Sequence, residues 1–181
     1  MKWDSNDTKT RKRVDLYYNT TLFWAGSTKT NGRYMFHSMD ASIGEGKDKG
    51  QKTNTLWLFA GTGDYERIGD SSAGIQNLML GIADPDYPSY KEISIPTKAN
   101  DLTKCKNTTN DTTGANCPNI TRDKGWYITL PNKQKVTAEP SVSSGLAYFP
   151  LYQPSSSVNK CSLGDAFICA ADDECGTNFS S

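Results

Sequence analysis

The side chains in this chain that could carry out chemistry are few, and they limit the reactions it can support. His37 is the only histidine among the 181 residues. A Ser-His-Asp relay needs a histidine beside its serine, and a multi-histidine metal site needs several. We therefore expect neither kind of site, and we expect His37 to lie on the face of a strand.

A glycine-rich turn follows the most apolar strand-like run of the chain. Gly61-Thr62-Gly63 comes directly after Leu56-Trp57-Leu58-Phe59-Ala60. A loop that cradles phosphate would need a third glycine and the N-terminus of a helix, and neither is indicated here. The pattern therefore predicts a tight turn between strands.

Four acidic residues near the end of the sequence form its best set of oxygen ligands. They are Asp165, Asp172, Asp173 and Glu174. Calcium is a hard cation that takes six to eight oxygens, so this group is the candidate metal site. An acidic turn without metal is the alternative, and we favour it.

The cysteines indicate an oxidising compartment. All five follow residue 104, in Asn/Thr/Gly-rich surroundings and without paired CxxC spacing. The first residues contain no apolar segment of a signal peptide. A fragment of a longer secreted protein would reconcile these two observations, and it would account for the odd number of cysteines.

Two disulfides are predicted. Cys105 and Cys117 bracket a hydrophilic stretch that burial cannot order, so a bridge between them is expected. Cys161 and Cys175 bracket an apolar strand, and a hairpin would bring them together. Cys169 lies within that strand, where a small apolar side chain suits a core position, so we expect it to be buried and reduced.

Short apolar runs alternate with Gly, Asn, Asp and Pro, which is typical of β structure. No window shows a sustained helical period. We predict a mostly β fold in a single region, residues 1–181, with a polar segment over 1–13 and an exposed polar loop inserted over 100–122. Strands are expected over 14–18, 21–25, 33–38, 55–60, 75–82, 126–130, 135–138, 145–149 and 166–170. Gly44-Glu45-Gly46 is expected to be one of the turns that close them.

Composition excludes some partners. The chain has 20 basic and 20 acidic residues, so no overall charge attracts it to nucleic acid or to anionic lipid. No run approaches the roughly 20 apolar residues of a membrane-spanning helix. We therefore expect no nucleic-acid partner and no membrane span in this chain.

Several motifs occur in an order that resembles one known family. Leu56–Tyr65 is an apolar strand ending in Gly-Thr-Gly, and Leu80–Pro85 is a strand ending in Asp-Pro. Asp101-Leu102-Thr103, Gly125–Leu130 and then Cys161-Ser162-Leu163-Gly164 follow. This order resembles the C-terminal β-propeller of the PilY family, the surface proteins associated with type IV pilus tips.

The resemblance implies antiparallel blades of an incomplete β-propeller with long loops. It implies a non-catalytic role in pilus biogenesis and adhesion, at the cell surface, at the pilus tip, on the outer membrane or in secreted form. Pilins, minor pilins and host or abiotic surfaces would be the partners. Members of the family bind calcium through an Asp-x-Asp-x-Asp-Gly loop, which this sequence lacks. No cofactor is therefore assigned, although calcium remains possible in the full-length family.

Two other classes of protein share parts of this composition. Quinoprotein dehydrogenases also use aromatic-rich propellers, but the sequence has no adjacent Cys-Cys pair, which disfavours an enzyme of that type. A structural surface-layer or matrix protein would have similar composition and secreted cysteines. In the propeller interpretation, Trp57 and Trp126 are expected to be buried between blades and Trp3 to be exposed.

Overall fold

The structure is a computed structural model of the whole chain. It describes residues 2–3, 14–15, 20–26, 32–48, 51–64, 76–89, 92–106, 113–115, 124–131, 133–155 and 163–176.

Strands make up nearly all of the regular structure. In chain order they are β1 (Lys2–Trp3), β2 (Val14–Asp15), β3 (Phe23–Trp24), β4 (Asp40–Asp48), β5 (Gln51–Gly61), β6 (Leu78–Asp84), β7 (Thr97–Lys98), β8 (Thr103–Lys104), β9 (Gly125–Thr129), β10 (Lys135–Val136), β11 (Ser141–Ser143), β12 (Leu146–Gln153) and β13 (Asp165–Asp172). The only helical element in the described part is a 3-10 turn over Ala99–Asp101. None of the described helical structure is long and apolar enough to cross a membrane.

Five strands form the first sheet, in the order β4-β5-β6-β9-β8. The first four pair antiparallel, with β7 and β8 between β6 and β9 in the chain, and β8 adds to β9 in parallel. The pairing of β4 with β5 runs without interruption from Asp40 opposite Phe59 to Asp48 opposite Gln51.

The second sheet is built around β12. Its one side pairs with β10 and β11, which lie end to end, and its other side pairs with β13 along the whole length of both strands. All of these pairs are antiparallel. The second sheet is therefore three strands wide, one fewer than the antiparallel part of the first sheet.

The two sheets pack face to face. Because side chains alternate between the faces of a strand, every second residue of β5, β6 and β9 points to the second sheet. The shared core contains Trp57, Phe59, Met79, Trp126 and Ile128 from the first sheet. The second sheet and its flanks add Val136, Ala147, Phe149, Leu151 and Ala171.

The opposite face of the first sheet is also covered. Leu78, Leu80 and Ile82 of β6 form a smaller buried cluster with Ala99 and Leu102, and Leu22 and Phe23 pack against it. The alternating sides of β6 are thus both buried, which agrees with its almost continuous apolar sequence.

The predicted mostly β fold is confirmed, while two local predictions are wrong. Residues 33–38 form no strand, and Gly44-Glu45-Gly46, expected to be a turn, lies in the middle of β4. The physical reason is that Gly44 sits where a side chain would collide: a methyl group there would lie 2.7 Å from Glu174 Oε1 and 2.9 Å from Trp57 Cδ1. Glycine allows β4 to pass close to the buried indole.

The segment over 100–122 is not wholly an exposed loop. In its described part, Leu102 and Cys105 are buried, and β8 pairs with β9. The polar sequence does not indicate this burial, because only two of the described residues in the segment, Leu102 and Cys105, are buried. Residues 4–13 of the predicted polar segment lie outside the described part of the chain.

Candidate functional site

The acidic residues singled out by the sequence do not form one cluster. Asp165 begins β13 and is exposed, whereas Asp172 ends the same strand. At about 3.3 Å per residue, the two ends of the strand are roughly 23 Å apart. The structure therefore brings together only Asp172, Asp173 and Glu174.

We call the segment Asp172–Gly176 the acidic turn, and it is held by the side chain of its own first residue. Asp172 Oδ1 accepts hydrogen bonds from the backbone N–H of Glu174 at 3.0 Å and of Cys175 at 2.9 Å. The Asp172 carbonyl accepts the Gly176 N–H at 2.8 Å. Gly176 has a φ of 64°, a left-handed conformation that favours glycine.

The acidic turn fastens the end of β13 to the first sheet. Trp126 Nε1 donates a hydrogen bond to the Asp173 carbonyl at 2.9 Å, and Gly176 lies against the same indole ring. The Asp173 N–H donates to the Gly145 carbonyl at 3.1 Å. The turn thus connects both sheets through its main chain.

The charges in the acidic turn repel one another. Burial raises the pKa of the Asp173 carboxyl, and the neighbouring charges of Asp172 and Glu174 raise it further. A cation would relieve this repulsion, but within the described ranges no three acidic, histidine or cysteine side chains are placed to hold a metal ion. One Asp172 oxygen is already engaged by two backbone donors. That oxygen of Asp172 therefore holds the backbone of the turn.

The cysteines near this turn differ from the predicted pairing. Cys105 is a buried thiol, which contradicts the predicted Cys105–Cys117 disulfide. Its Sγ donates a hydrogen bond to the Cys175 carbonyl at 3.2 Å, which places it in the interior between the sheets rather than in the polar loop. Cys117 lies outside the described residues.

Cys175 takes part in a disulfide, and Cys169 carries a thiol and is half-buried in β13. The predicted partner of Cys175, Cys161, lies outside the described residues, so that pairing stays a prediction. The predicted thiol at Cys169 is confirmed, but the side chain is half-buried and not buried as predicted.

The Gly-Thr-Gly segment lies where the end of β5 packs against β10 of the second sheet. The N–H groups of Thr62 and Gly63 already donate to the Leu78 and Tyr34 carbonyls, both at 2.9 Å. A methyl group on Gly61 would lie 2.4 Å from Val136, so glycine is needed for the close approach of the second sheet. Backbone donors that are already used cannot cradle phosphate. The structure shows no tight turn at these residues: Gly61 is the last residue of β5, residues 62–64 continue without a turn, and β6 begins only at Leu78.

Sequence reasoning missed a buried polar network beside this segment. Thr62 Oγ1 donates to Asn77 Oδ1 at 3.2 Å and accepts the Leu78 N–H at 2.9 Å. Asn77 Nδ2 donates to the Gln134 carbonyl at 2.8 Å. Lys135, which is only 4% exposed, donates from Nζ to the Asp64 carbonyl at 3.0 Å. The only signal for this network was the strand-terminal position of Thr62.

The predicted aromatic core is confirmed in its burial. Trp57 and Trp126 are both fully buried, and Trp126 contacts Phe59 and Phe149, with ring centroids 6.4 and 6.2 Å away. The side chain of Trp3 lies outside what the structure describes. His37 is partly buried in the irregular segment before β4, not on the strand face that was predicted.

Comparison with known proteins places the chain in no group: no family model, no curated protein and no solved structure matches it.

Proposed function

We propose that this chain is a non-catalytic part of a PilY-like cell-surface protein that acts in type IV pilus biogenesis and adhesion. The observation that carries the proposal is the face-to-face packing of two mainly antiparallel sheets through Trp57, Trp126 and Phe149. Successive blades of a β-propeller pack in this way. Three of the motifs that resemble the PilY propeller, Leu56–Tyr65, Leu80–Pro85 and Gly125–Leu130, overlap β5, β6 and β9 of the first sheet.

The chemistry of the described residues supports a scaffold role. Asp172, one of the acidic candidates, uses its side chain to close the acidic turn, and the side chain of Thr62, at the end of β5, accepts the N–H of Leu78 at the start of β6. The disulfide at Cys175 suits a protein exposed to an oxidising environment. On this proposal the protein resides at the cell surface or pilus tip, and its partners are pilins, minor pilins and the surfaces that pili attach to.

The test is genetic. The gene should be disrupted in the bacterium that encodes it, and pili should be sheared from the cells and quantified by immunoblot. We expect fewer surface pili and weaker attachment to abiotic surfaces, with both restored by the wild-type gene. The protein itself should be found in the sheared-pilus fraction.

A matched pair of complementing alleles sharpens the test. Trp126→Ala removes a fully buried ring, whereas Trp24→Ala changes a ring that is 51% exposed. We expect the first allele to fail and the second to restore piliation. Normal pilus number and attachment in the disrupted strain, with no protein in the pilus fraction, would refute the proposal.

A further inference from the structure

The outer edge of β13 is not paired with any strand that the structure describes. On its inner side β13 pairs with β12 from Asp165 opposite Gln153 to Asp172 opposite Leu146. On its outer side it has no β partner among the described residues. An edge of this kind presents a row of backbone donors and acceptors to any extended chain.

The position of Pro150 tells which backbone groups face outward. The Pro150 carbonyl accepts the Thr137 N–H at 3.1 Å, so the backbone of Pro150 points away from β13. Its opposite residue, Ile168, is therefore in a pair without hydrogen bonds, and the N–H and C=O of Ile168 point to the open edge. Because such pairs alternate along an antiparallel ladder, the N–H and C=O groups of Ala166 and Ala170 also point to the open edge.

Side chains at this edge are apolar and exposed. Ile168 is 69% exposed and Phe167 is 41% exposed, and Ala166 beside them is exposed as well. Open edges usually carry lysine, proline or a bulge that discourages pairing. β13 has none of these within its sequence, Asp-Ala-Phe-Ile-Cys-Ala-Ala-Asp.

The acidic residues at the two ends of β13 determine which kind of strand can pair with its outer edge. Asp165 lies at one end, and Asp172, Asp173 and Glu174 lie at the other. A second copy of β13 pairing antiparallel would bring acidic ends near acidic ends, which is unfavourable between neighbouring strands. A strand with basic residues at both ends would instead be attracted.

We propose that the open edge of β13 binds an extended segment of a partner protein that adds one strand to the second sheet, with apolar residues in its middle and lysine or arginine at both ends. Main-chain hydrogen bonds to Ala166, Ile168 and Ala170 give the affinity, and the acidic ends fix the position of the added strand. This inference does not depend on the pilus role proposed above.

The probe is a blocked peptide, Lys-Lys-Val-Thr-Val-Thr-Val-Lys-Lys, added to the full chain and followed by amide hydrogen exchange. We expect saturable binding that slows exchange at Ala166, Ile168 and Ala170. The amides of Phe167 and Ala171 face β12 and should be protected with or without peptide. A peptide with glutamates in place of the lysines should bind at least about tenfold more weakly, a difference of about 1.4 kcal/mol.

Two matched variants distinguish peptide binding at the edge of β13 from non-specific hydrophobic binding. Ile168→Lys places a charge at the edge, and Ile95→Lys places the same charge at an isoleucine that is 77% exposed elsewhere. The first should weaken peptide binding about tenfold or more, and the second should leave it unchanged. Ala166→Pro, which removes an outward N–H, is the second edge variant.

Circular dichroism should first establish that each variant is folded. Equal binding to Ile168→Lys and the wild type, equal binding of the glutamate peptide, or absence of saturable binding would each overturn the proposal. Concentration-dependent self-association abolished by Ile168→Lys would also overturn it, because the occupant would then be a second copy. None of these outcomes bears on piliation, so the two proposals fail separately.

Discussion

At the scale of single residues, Trp126 connects the two sheets through both its ring and its N–H. It lies on β9, packs between Phe59 and Phe149, and donates its indole N–H to the Asp173 carbonyl. Trp126→Ala removes both the buried ring and the hydrogen bond. We expect it to lower the free energy of unfolding by about 3–5 kcal/mol, measured by urea denaturation.

Trp24→Ala is the control for this substitution. The Trp24 ring is 51% exposed, and its visible interaction is with Lys98 Nζ, 5.5 Å from the ring centroid. An exposed cation–π contact contributes about 0.5–1 kcal/mol, so the loss should not exceed that. Equal costs for the two substitutions would mean that the core has been assigned to the wrong face of β9.

Cys105 should make stability depend on alkaline pH. Burial, together with the smaller effect of the Asp172 charge, raises the pKa of its thiol from 9.0 to about 12. Above pH 9 the unfolded chain loses this proton while the folded chain keeps it. The contribution of the buried thiol is therefore complete below pH 9 and is lost as the pH rises towards 12.

This can be measured as the difference in unfolding free energy between the wild type and Cys105→Ala. The difference should shrink between about pH 8 and about pH 10.5. Leu102→Ala is the control, because it shortens another buried side chain that does not titrate. Its cost should be the same at both pH values, and a parallel fall in both variants would contradict the assignment to the thiol.

At the scale of elements, the sequence predicted strands where apolar alternation was strong. The strands predicted over 55–60, 75–82 and 126–130 correspond to β5, β6 and β9. It failed at β4, whose glycines look like a turn when read locally. The need for glycine at position 44 follows from its close contact with Trp57 and Glu174, which are distant in sequence.

The contact between β6 and β9 gives a sharp prediction for a second glycine. Gly81 pairs with Trp126, and a methyl group on Gly81 would lie 2.4 Å from Trp126 Cε2. Gly81→Ala therefore forces the buried indole to move, and we expect a loss of about 1–3 kcal/mol in urea denaturation.

A double-mutant cycle identifies the cause of that loss. In a Trp126→Leu background the ring is absent, so adding Gly81→Ala should cost less than it does in the wild type. If the two costs simply add, the effect of Gly81→Ala comes from the strand backbone and not from the indole.

At the scale of the whole molecule, the residue types predicted an aromatic core, but they did not predict which distant residues contact each other. Burial of Trp57 and Trp126 followed from their positions in apolar strands. The separation of Asp165 from Asp172 did not, because proximity in sequence suggested one cluster while an extended strand holds its ends apart. Cys105 was assigned to a polar loop because its parallel neighbour β9 lies about 20 residues away in sequence. Long-range pairing of this kind leaves no local pattern.

The disulfide at Cys175 has two candidate partners. Cys105 and Cys169 are thiols, so among the five cysteines Cys117 and Cys161 remain. Pairing with Cys161 closes a loop of about 15 residues and should add about 3 kcal/mol of stability. Pairing with Cys117 closes about 59 residues and should add about 4 kcal/mol.

We expect reductant to lower the free energy of unfolding by about 3 kcal/mol, as the Cys161 pairing predicts. Cys175→Ser lacks the bridge and should not respond to reductant, which makes it the control. Peptide mapping without reduction should recover Cys161 and Cys175 in one linked fragment. A fragment joining Cys117 to Cys175 would show instead that the segment after β8, not the hairpin of β12 and β13, is clamped to the acidic turn.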